Sequence, residues 1–166
     1  MVSSSFSRYK AVKNSSTESF LQTKAIEMEK RNIPRTYVAL TPELDVLGYI
    51  TLSIKCMSIP KENLLGSKTL GRMNIEEKTG VAQSYLLGQL SRSDKSEKGF
   101  GTILMELAMK QVKIANKAVG CRMFRLDCHD DLVPYYEQFG FRLVRKNDDG
   151  TLNQMITFID KDDHQY

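Results

Sequence analysis

Gly99 and Gly101 stand one residue apart in the stretch SEKGFGTILMELAMK, and the run that follows them is apolar at every third or fourth position. Glycine weakens the interior of a helix, but at a helix entrance it removes the Cβ atoms that would hold another molecule away from the backbone. The first turn of a helix also leaves its N–H groups unpaired and carries the positive end of the helix dipole. An anion set there is therefore bound by the main chain itself, and a phosphate suits that chemistry. A G-x-G pattern is short and equally at home where a loop ends, so the flanking elements must decide what the glycines are for.

Those elements form a β-α-β pattern. VAQSYLLGQL at 81–90 reads as a strand, and the polar SRSDKSEK after it is a loop leading to the glycines. Phe100, Ile103, Leu104, Leu107, Ala108, Gln111, Val112 and Ala115 then keep helical spacing, which predicts an amphipathic helix over 100–117 ended by Gly120. Met105 and Met109 on it read as packing residues. CRMFRLDC is the second strand, most simply joined to the first by a right-handed parallel crossover.

Upstream, Ser15 and Glu18 have capping-box spacing, and Phe20, Leu21, Ala25 and Met28 share one face before Asn32 and Pro34, predicting a helix over 16–31. TYVAL and VLGYITLSI read as an antiparallel hairpin around TPELD. Residues 60–80 are polar, with a short helix near Leu64 to Leu70. Downstream, a short helix capped by Asp130 or Asp131 carries LVPYYEQF to Gly140, and FRLVRK and QMITFI form a hairpin around NDDG. The fold class is α/β (α+β): a mixed, mostly antiparallel sheet with one parallel pair, flanked by about four helices.

A chain of 166 residues supports one well-buried core, so a single domain over 1–166 is expected. Charged residues at 27% and hydrophobic residues at 41% are ordinary for a globular protein. No apolar run approaches the roughly eighteen residues of a membrane span, and the start MVSSSFSRYK lacks a secretory h-region. A cytoplasmic location without membrane partners is the expectation. Cys56, Cys121 and Cys128 show no C-x-x-C spacing and sit among apolar residues, so they are expected as buried thiols without metal or disulfide. A net charge of +4 permits anionic partners without demonstrating them.

Two familiar nucleotide motifs are absent. There is no G-x-x-x-x-G-K-[ST], and Leu104 stands where the dinucleotide G-x-G-x-x-G has its third glycine. SEKGFG and VPYYEQFGF, together with the order of elements over nearly the whole chain, instead resemble the GNAT superfamily of acetyl-CoA-dependent N-acetyltransferases. ESFLQTKAIEMEKRNIPRTYVAL followed by YLLGQL resembles the branch that contains bacterial toxin acetyltransferases. Ser96 stands where the family pattern has glutamine or arginine, and Lys95 and Lys98 are the cations that would supply the missing charge.

The resemblance implies acetyl-CoA as cosubstrate, no metal, and two splayed parallel strands. Leu90, Ser91 and Arg92 would offer backbone groups to the pantetheine arm, and the amides of Lys98, Gly99, Phe100, Gly101 and Thr102 would meet the pyrophosphate. Tyr136, four residues before Gly140, matches the family's catalytic acid, and its neighbour Tyr135 is then a packing residue. A phenol is protonated at neutral pH and can give its proton to sulfur. The commoner fate of a lone tyrosine, in the core with its hydroxyl at the rim, is set aside only by the surrounding motif. No residue is assigned as general base, and His129 beside two aspartates reads as a solvated loop residue.

The reaction implied is direct attack by a primary amine on the thioester in a ternary complex. The toxin branch implies narrower partners, an aminoacyl-tRNA acceptor and a small antitoxin; a homodimer is a separate expectation. Arg8, Lys10, Lys13, Lys24, Lys30, Arg31 and Arg35 make the N-terminal part basic, as an RNA substrate requires, although scattered solvated lysines explain them equally well. A non-catalytic coenzyme-A-binding module is the reading from a different class.

Overall fold

Residues 2–59 and 65–159 are described in a computed structural model. Six strands form one sheet: β1 (Arg35–Leu40), β2 (Val46–Ser58), β3 (Val81–Arg92), β4 (Met123–Cys128), β5 (Arg142–Lys146) and β6 (Asn153–Phe158). Their order is β1-β2-β3-β4-β6-β5, antiparallel apart from the parallel pair β3–β4. Between those two runs helix α5 (Phe100–Ala118), so the expected β-α-β unit is present; the other helices among the described residues are four before it and a sixth after it. Among the described residues no helix is long and apolar enough to cross a membrane.

The chain divides into two compact units. One comprises Met1–Ser53 and Leu87–Gln111, the other Ile54–Leu86 and Val112–Tyr166. In the first, α1 (Val2–Ser7), a 3-10 turn (Val12–Asn14), α2 (Ser15–Thr23) and α3 (Ala25–Lys30) precede β1. The single helix expected over 16–31 is in fact two. At Lys24 φ is −119°, well away from helical values, and α2 closes there with the Lys24 N–H on the Phe20 carbonyl.

The expected capping box is also rearranged. Asn14 is the N-cap and its side chain accepts from the Thr17 N–H at 3.3 Å. Glu18 turns instead to the Ala11 N–H at 2.8 Å and the Lys10 ammonium at 3.0 Å. These contacts hold the N-terminal segment against a core of Phe6, Tyr9, Ala11, Leu21, Ala25, Val46 and Tyr49. Phe20 stacks on the Tyr49 ring, and Tyr9 meets it edge-on.

In the second unit Met57, Met73, Ala82, Met123, Val144 and Ile156 pack together. Helix α4 spans Ser67–Arg72, a little later than the expected helix, whose first residue Leu64 lies outside the described residues. Short helix α6 (Val133–Glu137) follows a 3-10 turn at Asp130–Leu132. Neither aspartate caps it. Asp130 instead accepts hydrogen bonds from the Lys146 ammonium and, at 2.7 Å, from the Asn153 side chain. The closing hairpin turns at NDDG as expected, with the Asn147 N–H on the Leu152 carbonyl at 2.8 Å.

Of the three thiols expected to be buried, only Cys128 is. Cys121 is half-buried, with its thiol on the Gln83 carbonyl, and Cys56 is exposed, because β2 turns Ile54, Lys55 and Cys56 all to solvent.

Candidate active site

The glycine turn belongs to the first unit. After β3 the chain folds tightly: the Ser93 N–H donates to the Leu47 carbonyl, the Asp94 N–H to the Lys10 carbonyl, and both the amide and hydroxyl of Ser96 to the Ser93 carbonyl. Ser96 thus fastens the loop with its side chain. Gly99 has φ +93°, a backbone conformation that side chains rarely adopt, and a Cβ placed on it would meet nothing within 4 Å. The chain thus enters α5 through a left-handed residue with open space where its side chain would stand.

Two of the five amides expected at the pyrophosphate are already used. The Phe100 N–H donates to the Glu97 carbonyl at 3.2 Å and the Thr102 N–H to the Gly99 carbonyl at 2.9 Å. Among the described residues, those of Lys98, Gly99 and Gly101 have no hydrogen-bond acceptor. They stand at the positive end of a nineteen-residue helix, so the turn offers an anion three main-chain donors and a helix dipole. Lys95 is not available as the substitute cation, because its ammonium lies 3.2 Å from Asp45, which Arg8 also approaches. Lys98 is exposed and has no ion pair among the described residues.

The strand end needs a similar correction. A Cβ built on Gly48 of β2 would lie 2.8 Å from the Ser91 carbonyl oxygen, and the Ser93 N–H bonds to β2 as well, so both residues direct their main chain toward β2. Amide and carbonyl directions alternate along a strand, so Leu90 and Arg92 face the other edge and Ser91 does not. β4 has six residues against twelve in β3, so at least six residues of β3 have no β4 residue to pair with.

Tyr136 belongs to the second unit. Pro134 opens α6, where its missing N–H costs nothing, and Gly140 at φ +81° turns the chain back so that the amides of Phe139 and Phe141 both reach the Tyr136 carbonyl. The ring is held edge-on by Tyr135 and Phe141, with centroids 5.1 and 6.1 Å away, and is 8% exposed. Among the described residues its hydroxyl has no hydrogen-bond partner. Burial, and after it the neighbouring Tyr135 and Cys128, push the phenol above its ordinary pKa of 10, so it is a proton donor throughout the neutral range. Tyr135 packs edge-on against Tyr136 and Phe139, and His129 is exposed.

A cleft of about 940 Å³ opens elsewhere in the second unit, lined by Arg72, Asn116, Cys121 and Arg122 among others, and none of the assigned residues lines it. Among the described residues no cluster of histidine, cysteine or acidic side chains could hold a metal ion.

A six-stranded mixed sheet whose single parallel pair brackets a glycine turn and a long helix, with a tyrosine-bearing short helix after it, is the GNAT fold. No protein-family model and no curated protein matches the chain. Among solved structures it is similar to AtaT complexed with acetyl-methionyl-tRNAfMet, with 23% identity over 89% of this chain and 85% of that one, and a TM-score of 0.73. It is also similar to a Tyr-to-Phe variant of the AtaT toxin bound to acetyl-CoA and the C-terminus of its antitoxin AtaR (22% identity, 92% and 84% covered, TM-score 0.70). A Tyr-to-Phe variant of KacT matches at 20% identity over 95% and 91% of the two chains, with a TM-score of 0.75.

Proposed function

We propose that the protein is an acetyl-CoA-dependent N-acetyltransferase that passes an acetyl group to a primary amine by direct attack in a ternary complex. The observation that carries this is the glycine turn: a left-handed Gly99 with open space where a Cβ would stand, and three amides at the head of α5 without an acceptor among the described residues. These suit the pyrophosphate of coenzyme A. The free edge at Leu90 and Arg92 suits the pantetheine arm, which would hydrogen-bond there like an added strand. In the transfer a neutral amine attacks the thioester carbonyl, the C–S bond breaks as the C–N bond forms, Tyr136 gives its proton to the departing thiolate, and the new amide nitrogen sheds one proton to water, from which Tyr136 is reprotonated.

The pH profile follows from these roles. Attack requires the unprotonated amine, so the rate rises with pH toward the pKa of the acceptor. Tyr136 must keep its proton, and because its pKa lies above the ordinary value it does so past the usual range of a phenol. Initial rates on a small amine are expected to rise and then level, with no alkaline decline below about pH 10. A decline centred lower would take the acid role away from Tyr136.

A narrower reading, in which the acceptor is the amino group of an aminoacyl-tRNA, is favoured by the likeness to AtaT, solved in complex with acetyl-methionyl-tRNAfMet. The charge it needs is smaller than the composition suggests. Arg8, Lys10, Arg31 and Arg35 are paired with Asp45, Glu18, Glu27 and Glu29. Lys13, Lys24 and Lys30 are exposed with no ion pair among the described residues. On this reading a small antitoxin and a second copy of the chain are further partners to be sought.

Labelled acetyl-CoA offered with charged tRNA, small polyamines and lysine peptides separates the two readings. Three lysine–phosphate contacts imply a loss of at least about tenfold in activity on limiting tRNA between about 50 and 200 mM salt, with little change for a small amine. Reversing Lys13, Lys24 and Lys30 to glutamate is expected to abolish only the tRNA reaction. Labelling of small amines or peptides with charged tRNA untouched at low salt would leave the general reading and remove the narrower one.

A further inference from the structure

Ser91 is excluded from the ligand edge by its main chain, and its side chain is equally committed. Its hydroxyl lies 2.7 Å from the Tyr9 hydroxyl and 2.7 Å from that of Thr17, which in turn lies 2.9 Å from the Asn14 carbonyl oxygen. Each hydroxyl has one proton and the carbonyl can only accept, so the arrangement that satisfies all three contacts runs one way. Tyr9 donates to Ser91, Ser91 to Thr17, and Thr17 to Asn14. Tyr9, Thr17 and Ser91 are all buried, and burial pushes the Tyr9 phenol up to about 12, which keeps it a donor.

The chain is anchored at both ends. Tyr49 donates to the Thr17 carbonyl at 2.6 Å, Gln22 donates to the Tyr9 carbonyl at 2.8 Å, and the Asp94 N–H bonds to the Lys10 carbonyl at 3.0 Å. The N-terminal segment therefore grips the end of β3 and, at Asp94, the start of the loop that delivers Gly99. A shift of Ser91 would move Leu90 and Arg92 on either side of it, and both present their main chain to the open edge.

We propose that Tyr9 and Thr17 are positioning residues for acetyl-CoA: through hydrogen bonds that meet on Ser91 they fix the end of β3 in the register that receives the pantetheine arm. The inference rests on the acetyltransferase reading of that edge. Neither residue touches the cosubstrate; both act through Ser91.

Thr17→Val keeps the shape of the side chain and removes the hydroxyl, leaving Ser91 without its acceptor. Its Kd for acetyl-CoA, measured by calorimetry well below the melting temperature, is expected to rise about tenfold, the scale of one buried hydrogen bond lost with its partner left unpaired. KM for acetyl-CoA should rise with it, by more than kcat falls. Thr17→Ser restores the hydroxyl and should return Kd to within about twofold of wild type. Tyr9→Phe reads the same chain from its other end, and serves if Thr17→Val does not fold. Thr23→Val, at an exposed hydroxyl of α2 that among the described residues bonds only the Ser19 carbonyl, is the control expected to leave Kd unchanged. If Thr17→Val and Tyr9→Phe melt at lower temperature but bind acetyl-CoA as wild type does, their role is structural and the proposal is overturned. If wild type itself does not bind acetyl-CoA, the reading of the edge fails first and the proposal falls with it.

Discussion

Tyr136→Phe is expected to lower turnover by about 10²–10⁴-fold, the range typical of a lost general acid, while acetyl-CoA binds as before. The substitution removes one oxygen and leaves the ring between Tyr135 and Phe141, so the packing of α6 is kept. The hydroxyl has no hydrogen-bond partner among the described residues, and the mutant fold should lose little stability for that reason. Tyr135→Phe is the matched control, since its ring contacts survive the change. Steady-state rates at saturating acceptor, together with a calorimetric Kd, separate the two effects. Full activity in Tyr136→Phe would return the residue to the core.

The second large effect is expected at Gly101, in the first turn of α5. Glutamate there improves helix propensity and places a negative charge where the helix dipole favours one, each worth up to about 1 kcal/mol, so the unliganded fold should hold or gain. The same carboxylate would stand where an anion is to be bound. Like charges brought together cost several kcal/mol, which corresponds to a Kd for acetyl-CoA raised at least about 100-fold. A melting temperature equal to or above wild type, combined with lost binding by calorimetry, is the expected pair of results. Unchanged affinity would show that the glycine turn does not seat the pyrophosphate.

Much of this was legible in the sequence, because the signals involved are local. The spacing of Leu104, Ala108 and Val112 located α5, the β-branched and aromatic residues of VLGYITLSI located the first part of β2, and the position of CRMFRLDC after the helix located β4. What was missed depends on residues far apart in the chain. The segment MVSSSFSRYK has too few apolar residues to show a helical period, and α1 is held by Phe6 and by the core around Tyr9. Glu18 had capping-box spacing, but the Ala11 N–H and Lys10 competed for its carboxylate. In the sequence Ser91 reads like its neighbours, as a backbone contributor. Only the approach of Gly48 and the hydroxyls of Tyr9 and Thr17, 82 and 74 residues away along the chain, reveal that it faces inward. Lys95 likewise reads as a free cation in the sequence, whereas Asp45, fifty residues earlier, lies beside it in the fold.

Release of free thiol from the preformed complex with acetyl-CoA, followed in a single turnover with and without an acceptor amine, tests direct transfer most simply. If the amine attacks the bound thioester itself, thiol appears only when an acceptor is present, in step with an amide-linked acetyl group on that acceptor, and Tyr136→Phe slows both equally. A stoichiometric burst of thiol without acceptor would mean that an enzyme nucleophile takes the acetyl group first, and would contradict the ternary-complex reaction. Tight binding with no thiol released in the presence of charged tRNA, polyamines or lysine peptides would contradict catalysis itself and leave a coenzyme-A-binding module.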